Sequence, residues 1–262
     1  MKQLFTIVRD CGPLCVGLDP NIDRMPDKEL YDEEDIPYVY DSFCSGILRK
    51  LQFKVQIAKF QSAYFEAAGP EGLRTLRHLI SDAKKWGYYT ILDAKRNDIS
   101  TTAESYAKAA FEVYGADALT ITPFMGEKSI RTFVDCARKL NRQIFVVVYP
   151  TETSVYSGGA VSTLDLIQRI GDENINNGYG DVGAVVSGIM PNYIDVHRAA
   201  APRVFFLVPG MGTQGGKIED QLPAFNEGNG VILNYSRSII YAEDPLFAAE
   251  YIIHDLRMKV RI

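Results

Sequence analysis

Residues 89–102 read Tyr-Thr-Ile-Leu-Asp-Ala-Lys-Arg-Asn-Asp-Ile-Ser-Thr-Thr, and the rest of the chain is organised around this stretch. The β-branched and apolar start of this stretch predicts a buried strand. Because alternate residues of a strand point to the same face, Asp93 and Lys95 are expected to project side by side at its end. Charges at the end of an apolar strand cost free energy unless a partner or a function requires them. The pair is therefore either a structural ion pair that closes the strand or part of a functional site.

The chain beyond this strand is expected to turn and enter a helix. Asp98 lies three residues past Lys95, in the predicted turn. Thr101 and Glu104 have the Thr-x-x-Glu spacing of a capping box, which predicts a helix N-terminus at this point.

Composition limits the classes of protein to which the chain can belong. The 262 residues are 47% hydrophobic and 23% charged, as in a soluble globular protein large enough for one α/β barrel or two smaller domains. A net charge of -5 gives no electrostatic basis for binding nucleic acid or an anionic membrane. No apolar run approaches the roughly 18 residues of a membrane span. Residues 1–10 lack the pattern of a secretory signal.

The cysteines and histidines form no metal-binding or redox motif. The cysteines include no Cys-x-x-Cys pair and no histidine cluster lies near them, so we predict reduced thiols in a cytoplasmic protein and no metal site. These cysteines are Cys11, Cys15, Cys44 and Cys136. His78, His197 and His254 each fall in a helix-like segment, which favours surface or core roles over catalysis.

Short β-rich runs alternate with helix-favouring segments along the whole chain. The predicted strands are 14–18, 55–60, 88–95, 118–123, 144–150, 182–187, 204–209 and 230–236. The clearest helical segments are 72–86, 102–114, 128–140, 191–200 and 245–261. This alternation predicts an α/β fold, a single-domain (β/α)8 TIM barrel over residues 1–262, with a doubly wound open sheet as the alternative. The acidic segment 21–41 is expected to form an extended loop or irregular helix.

A barrel of this kind places its active site at the carboxyl ends of its strands, and unusual polar residues follow those ends here. Asp19 follows the first predicted strand, Lys59 the second, and Asp93 with Lys95 the third. Each could singly be a solvated strand end, but two lysines and two aspartates that converge on one mouth indicate a site. Further polar positions follow strands four to six, namely Thr122, the 150–159 loop and Ser187.

The last two loops predict what this site binds. Residues 209–216 read Pro-Gly-Met-Gly-Thr-Gln-Gly-Gly after the seventh strand, and we call this segment the anion loop. Glycine lets a backbone approach an anion closely, although a flexible surface loop has the same composition. Arg237 follows the eighth strand, and the loops after strands seven and eight are the usual phosphate site of this fold. A phosphorylated small molecule is therefore the predicted ligand.

These motifs together resemble those of the orotidine 5'-phosphate decarboxylases. The resemblance rests on Asp-Ala-Lys-Arg-x-Asp-Ile at 93–99, on Lys59 before it, and on the anion loop after it. It extends from residue 17 to residue 237, and the long first connection is similar to the longer-chain branch of the family. Asn97 and Ser100 depart from the family, in which glycine is common at both positions.

The loop after strand five departs further from the family pattern. The family usually has Thr-Ser-Asn-Pro-Gly where this chain has Pro-Thr-Glu-Thr-Ser at 150–154. We place the contact with the pyrimidine amide on Thr151, with Thr153 or Ser154 as alternatives.

The resemblance implies decarboxylation of orotidine 5'-phosphate to uridine 5'-phosphate without a cofactor. Loss of CO₂ leaves negative charge at C6 of the pyrimidine, which the protein must stabilise electrostatically and then protonate. Lys95 is implied as the cation near C6 and as the proton donor to it. Asp93 is implied to lie beside the substrate carboxylate, and Lys59 to bond the ribose and hold Asp93 in place.

The remaining implied contacts involve the ribose, the phosphate and a second subunit. Asp19 is expected to bind ribose hydroxyls. The expected phosphate contacts are Gln214, Ser236 and Arg237, and Pro209 and Gly216 are further expected substrate contacts. In the family, the residue at Asp98 reaches the neighbouring subunit's site together with those at Ile99 and Thr102, which implies a homodimer with shared active sites.

Two other functions are open on the sequence. A sugar-phosphate decarboxylase or aldolase of the same superfamily has a similar Asp-x-Lys-x-x-Asp pattern but needs Mg²⁺ held by carboxylates. Lys59 would place a competing positive charge beside such an ion. A non-catalytic phosphate-binding barrel would not require the combination of Lys59, Asp93, Lys95 and Asp98.

Overall fold

The computed structural model describes residues 2–25, 28–148, 157–227 and 229–260. Eight parallel strands pair in sequence order and form a closed barrel, because the eighth strand pairs with the first. They are β1 (Leu14–Leu18), β2 (Ile57–Gln61), β3 (Tyr89–Arg96), β4 (Ala118–Ile121), β5 (Gln143–Val147), β6 (Val182–Val185), β7 (Phe206–Val208) and β8 (Val231–Tyr235). The predicted (β/α)8 barrel is confirmed, and the open-sheet alternative is wrong.

Helices surround the barrel and connect its strands. They are α1 (Lys2–Cys11), α2 (Ile36–Leu51), α3 (Ser62–Ala67), α4 (Gly69–Lys85), α5 (Ser100–Lys108), α6 (Glu127–Lys139), α7 (Ser157–Gly171), α8 (Ile194–Ala200), α9 (Ile218–Gln221), α10 (Arg237–Ile240) and α11 (Pro245–Val260). His78, His197 and His254 lie in helices, as predicted. Within the described ranges, no helix is long and apolar enough to cross a membrane.

Alternation along the strands produces two cores. Inward-facing residues such as Ile57, Ile91 and Phe145 pack inside the barrel, where Leu4 and Val8 of α1 join them at the amino ends of the strands. Residues on the other face of the strands pack against the helices in a larger core. Because side chains alternate, the inward-facing residues beyond this inner core are directed to the mouth at the carboxyl ends.

The first connection is irregular for only part of its predicted length. Three short 3₁₀ turns, Ile22–Arg24, Lys28–Leu30 and Glu33–Asp35, follow β1. A regular helix, α2, then begins at Ile36, inside the segment 21–41 that was expected to be irregular.

The last part of β3 departs from regular pairing with β4. Residues 93–95 stand against Thr120 alone between the register pairs on either side, and we call these three residues the β3 bulge. Lys95 has a φ of 47°, in the left-handed region that residues other than glycine rarely adopt. The bulge therefore falls on the two charged residues that the sequence singles out.

The helix after β3 begins earlier than the capping-box spacing predicts. α5 starts at Ser100 with Ile99 as its N-cap, and no side chain caps it. A capping side chain must stand at the residue before the helix to reach the free N–H groups of the first turn. Thr101 already lies inside that turn, so the predicted capping box is wrong.

Candidate active site

The carboxyl ends of the strands carry inward-facing polar side chains that are almost inaccessible to solvent. Lys59, Asp93 and Asn234 each lie two residues beyond a strand residue of the inner core. Their exposed fractions are 3%, 6% and 5%. Since buried polar groups require hydrogen-bond partners, the contacts of these residues define what the site can do.

Asp93 accepts four hydrogen bonds, two at each carboxylate oxygen. Oδ2 accepts from Lys59 Nζ at 2.9 Å and from Gln61 Nε2 at 3.1 Å. Oδ1 accepts from Lys95 Nζ at 2.7 Å and from Thr120 Oγ1 at 2.9 Å. An ionised carboxylate offers about four lone-pair sites, so this one is saturated and its plane is fixed.

The lysines keep Asp93 ionised despite its burial. Burial opposes the charged carboxylate, but the charge of Lys59, then that of Lys95, and the hydrogen bonds from both outweigh it and hold the pKa of Asp93 well below its usual range. Burial likewise opposes the charged form of Lys59, but Asp19 and Asp93 outweigh it and raise the pKa of this ammonium group. Lys59 Nζ lies 3.5 Å from Asp19 Oδ1. We call Asp19, Lys59, Asp93 and Lys95 the charged cluster.

Lys95 is the most accessible cation of the charged cluster. Its side chain is 46% exposed, whereas that of Lys59 is 3% exposed. Among the described residues, Asp93 is the only partner of the Lys95 ammonium group. An ammonium group has three N–H donors, so Lys95 can hold Asp93 and still donate to a bound molecule.

The anion loop adopts a conformation that requires glycine. Gly210, Gly212 and Gly215 have φ angles of 88°, 71° and 102°, all in the left-handed region. A Cβ atom on Gly212 would lie 2.9 Å from Ser238 Oγ. The loop therefore packs tightly over the segment that follows β8.

One cavity joins the charged cluster to the anion loop. Eight of the predicted site residues line it: Asp19, Lys59, Asp93, Lys95, Pro209, Gln214, Ser236 and Arg237. The hydroxyls of Ser236 and Ser238, next to Arg237, are buried and have no hydrogen-bond partner among the described residues. Hydroxyl donors beside a guanidinium group are suited to an anion such as a phosphate.

Gly216 belongs to the anion loop but does not line the cavity, and its contact with the substrate stays a prediction. Its N–H donates to the Gly210 carbonyl at 3.0 Å, and its own carbonyl accepts from Gly212 N at 3.0 Å. The residue is buried, and these two hydrogen bonds join the end of the anion loop to its start. Its N–H group is therefore already paired within the loop.

The remaining predicted residues lie away from the cavity lining or outside the described residues. Asp98, Ile99 and Thr102 belong to the β3–α5 connection and the first turn of α5, and none of them lines the cavity. Asp98 Oδ1 instead accepts from Ile99 N at 2.8 Å. Thr151, with its alternatives Thr153 and Ser154, lies outside the described residues.

Three buried or partly buried contacts were missed at the level of sequence. Gln61 and Asn234 line the cavity. Thr120 does not line it, but its hydroxyl donates a hydrogen bond to Asp93. Strand parity could have found the first two, because Gln61 lies two residues past Lys59 and Asn234 two before Ser236. Thr120 could not be found in this way, since its partner depends on the β3 bulge.

The fold and the cavity together define a class of protein. A closed (β/α)8 barrel with charged side chains at its mouth, and a glycine-rich loop after strand seven, has the architecture of barrel enzymes that act on phosphorylated small molecules. In the described part of the chain, no group of three or more His, Cys, Asp or Glu side chains is arranged to hold a metal ion.

Comparison with known proteins identifies the family within this class. The model of the "Orotidine 5'-phosphate decarboxylase / HUMPS family" matches residues 12–252. The orotidine 5'-phosphate decarboxylase of Rhodopirellula baltica is 35% identical over 90% of this chain and 86% of its own length. That of Clostridium tetani is 32% identical over 92% of this chain and 88% of its own length. The chain belongs to this family.

Solved structures agree with this assignment. The OMP decarboxylase of Leishmania donovani superposes with a TM-score of 0.81 at 27% identity, over 99% of this chain and 98% of that one. The UMP synthase of the same organism superposes with a TM-score of 0.82 at 29% identity, over 98% of this chain but 56% of the longer one.

Proposed function

We propose that this protein decarboxylates orotidine 5'-phosphate to uridine 5'-phosphate, the last step of de novo pyrimidine biosynthesis, without a cofactor. The observation that carries the proposal is the buried Lys59–Asp93–Lys95 array, which shares one cavity with the anion loop. Both the family and the names of the relatives support this reaction.

Lys95 is the proposed proton donor. When the bond between C6 and the carboxylate breaks, CO₂ leaves and the electron pair stays on C6. A neighbouring ammonium group stabilises this charge, transfers a proton to C6, and is reprotonated from solvent. The 2.7 Å bond to ionised Asp93 orients the ammonium group in the meantime. We place Asp93 beside the departing carboxylate, where like charges disfavour the bound substrate.

Lys59 and Asp19 are proposed to bind the ribose, and Pro209, Gln214, Ser236 and Arg237 the phosphate. The phosphate is remote from C6, so its binding energy can offset the cost of bringing the substrate carboxylate next to Asp93. We retain Thr151 for the pyrimidine amide, with Thr153 and Ser154 as alternatives. Replacing each singly and measuring KM would identify the contact.

The function is tested by assaying CO₂ release from orotidine 5'-phosphate with and without a metal chelator. Full activity in the chelator is expected. Lys59 bonds Asp93 and approaches Asp19, so it occupies the position that a divalent cation between these carboxylates would need. Activity lost on chelation and restored by Mg²⁺ would instead favour a metal-dependent sugar-phosphate enzyme, and no turnover would favour a binding protein.

We further propose a homodimer in which Asp98, Ile99 and Thr102 complete the partner's site, in the cytoplasm, where the free thiols would stay reduced. Asp98 does not line the cavity of its own barrel. Large apolar side chains are exposed on the connections that follow β3 and β4, with Ile99 at 56%, Phe124 at 63% and Met125 at 53%. Exposed apolar side chains on the connection that carries Asp98 are suited to an interface between copies of this chain.

Mixing two inactive variants tests the shared site. A mixed dimer of Asp98→Ala and Lys95→Ala chains would carry both lesions in one site and none in the other. Random exchange of chains should restore about a quarter of wild-type activity. Mixing Asp93→Ala with Lys95→Ala is the matched control and should restore nothing, since both residues act within one chain. No recovery in the first mixture, despite demonstrated subunit exchange, would place Asp98 in its own site.

A further inference from the structure

We infer that Thr120 is a positioning residue for the decarboxylation, one that fixes the Asp93 carboxylate and the Lys95 backbone through a single hydroxyl group. The inference rests on the proposed function. It assigns a role to a residue on β4 that lies outside the charged cluster and does not line the cavity.

The hydroxyl of Thr120 has one arrangement of donors and acceptors that satisfies its neighbours. Lys95 N donates to Thr120 Oγ1 at 3.0 Å, so the oxygen is an acceptor there. Thr120 Oγ1 lies 2.9 Å from Asp93 Oδ1, which as an ionised carboxylate oxygen can only accept. The hydroxyl proton therefore points to Asp93. Thr120 is 1% exposed, so water does not compete for either bond.

The position of Thr120 follows from the β3 bulge. Residues 93–95 stand against Thr120 alone, so this part of β3 lacks regular pairing with β4. The Lys95 N–H group is bonded by the threonine side chain instead. Because Lys95 is held at a φ of 47°, an additional bond at its N–H stabilises a backbone conformation that would otherwise relax.

The three residues thus form a closed ring of hydrogen bonds. Lys95 reaches Asp93 Oδ1 directly through Nζ and indirectly through its own backbone N–H and Thr120. Without the hydroxyl, Asp93 loses one of its four donors and the Lys95 backbone loses its anchor. Both the plane of the carboxylate and the starting point of the lysine side chain then become less well defined.

Such misplacement should affect the chemical step more than binding. The phosphate and ribose contacts are formed by other residues, so affinity for uridine 5'-phosphate should change little. A displacement on the order of 1 Å at reacting groups can reduce turnover by about 100-fold. We expect kcat to fall by about 10- to 100-fold when the hydroxyl is removed.

The decisive comparison is Thr120→Ala against Thr120→Ser, because these variants differ by one hydroxyl group and both lack the methyl group. Thr120→Ser should keep kcat near the wild-type value. Thr120→Ala and the isosteric Thr120→Val should both show the fall in kcat of about 10- to 100-fold. If Thr120→Val does not fold, the Ala and Ser pair still decides the question. Uridine 5'-phosphate affinity is measured for each variant, so that a loss of binding is not mistaken for a loss of turnover.

The opposite end of β3 offers a matched control. Thr90 is also fully buried, and its hydroxyl donates to Asp117 Oδ2 at 2.9 Å. Thr90→Val should lower the melting temperature about as much as Thr120→Val and leave kcat unchanged. Wild-type kcat in Thr120→Ala, equal loss in the Ser and Ala variants, or an equal loss in Thr90→Val would each overturn the inference. If Lys95→Ala itself remained active, the proposed function would fail first.

Discussion

Each end of the barrel holds a buried aspartate in a similar chemical environment. At the carboxyl ends, Asp93 accepts from two lysines, one amide and one threonine hydroxyl. At the amino ends, Asp117 accepts from Lys84, from Arg142, and from both the backbone N–H and the hydroxyl of Thr90. Each carboxylate thus accepts four hydrogen bonds, and the donors at both ends include two cations and a threonine hydroxyl.

The two ends differ in how fully their cations are bonded. Lys84 also donates to the Gly115 carbonyl at 2.7 Å, and its side chain is 30% exposed. Lys95 bonds only Asp93 among the described residues, is 46% exposed and lines a cavity. The same ion-pair chemistry therefore stabilises the fold at one end and leaves donors available for a ligand at the other.

Replacing one lysine at each end gives the largest expected contrast. Lys95→Ala should lower kcat by at least about 1,000-fold, because it removes the proposed cation near C6 and the proposed proton donor. Lys84→Ala should leave kcat nearly unchanged and lower the melting temperature, since it takes one partner from buried Asp117. Steady-state kinetics and thermal unfolding of the two variants check this. A Lys95→Ala enzyme with a tenth of wild-type turnover would contradict the catalytic assignment.

Arginines at the two ends should separate substrate binding from stability. Removing a charged hydrogen bond to phosphate costs roughly 1.5–3 kcal/mol, so Arg237→Ala should raise KM about 10- to 100-fold. Inhibition by uridine, which has no phosphate, should not change. Arg142→Ala should leave KM for the nucleotide as in wild type. An equal loss for nucleotide and nucleoside would show that Arg237 does not bind phosphate.

The ion pair in the cavity should also make stability depend on pH. The pKa of Asp93 in the folded protein lies below its unfolded value of about 3.9, so its contribution is complete above that pH and is lost on acidification. The pKa of Lys59 is raised, so its contribution is complete below about pH 10 and is lost above it. Between these limits the contribution of the pair is constant.

The stability of wild type relative to Asp93→Asn should accordingly be flat from about pH 5 to 9 and fall at lower pH. Below about pH 4, the difference in the free energy of unfolding should fall by at most about 1.4 kcal/mol per pH unit, because the Asp93 carboxylate takes up one proton on unfolding. Urea unfolding at several pH values measures the difference. A difference that stayed constant down to pH 3 would show that Asp93 is not held ionised by the lysines.

The strands were predictable because each is buried on both faces. Parallel barrel strands give nearly continuous apolar runs, and all eight observed strands begin within two residues of the predicted starts. The convergence of Asp19, Lys59, Asp93 and Lys95 followed from the barrel geometry and the strand ends. Local patterning and fold geometry agreed, so this part of the site could be found without coordinates.

The contacts across strands could not be predicted. The β3 bulge sets which residue faces Thr120, and nothing in the local sequence marks where β3 slips against β4. The capping-box prediction at Thr101 failed because α5 begins one residue earlier, at Ser100, so that Thr101 lies inside the first turn. The cluster around Asp117 combines residues from three separate segments, and no motif connects them.

The β3 bulge also bears on how this barrel could be redesigned. A deletion of two residues from 93–95 would leave one residue opposite Thr120 and let β3 and β4 pair without interruption. Such a deletion must remove Asp93 or Lys95, and the proposed mechanism requires both of them. An inactive scaffold could therefore be made by deleting two residues of β3. A barrel designed for new chemistry should instead keep the length of β3, because the bulge sets the positions of residues 93 and 95.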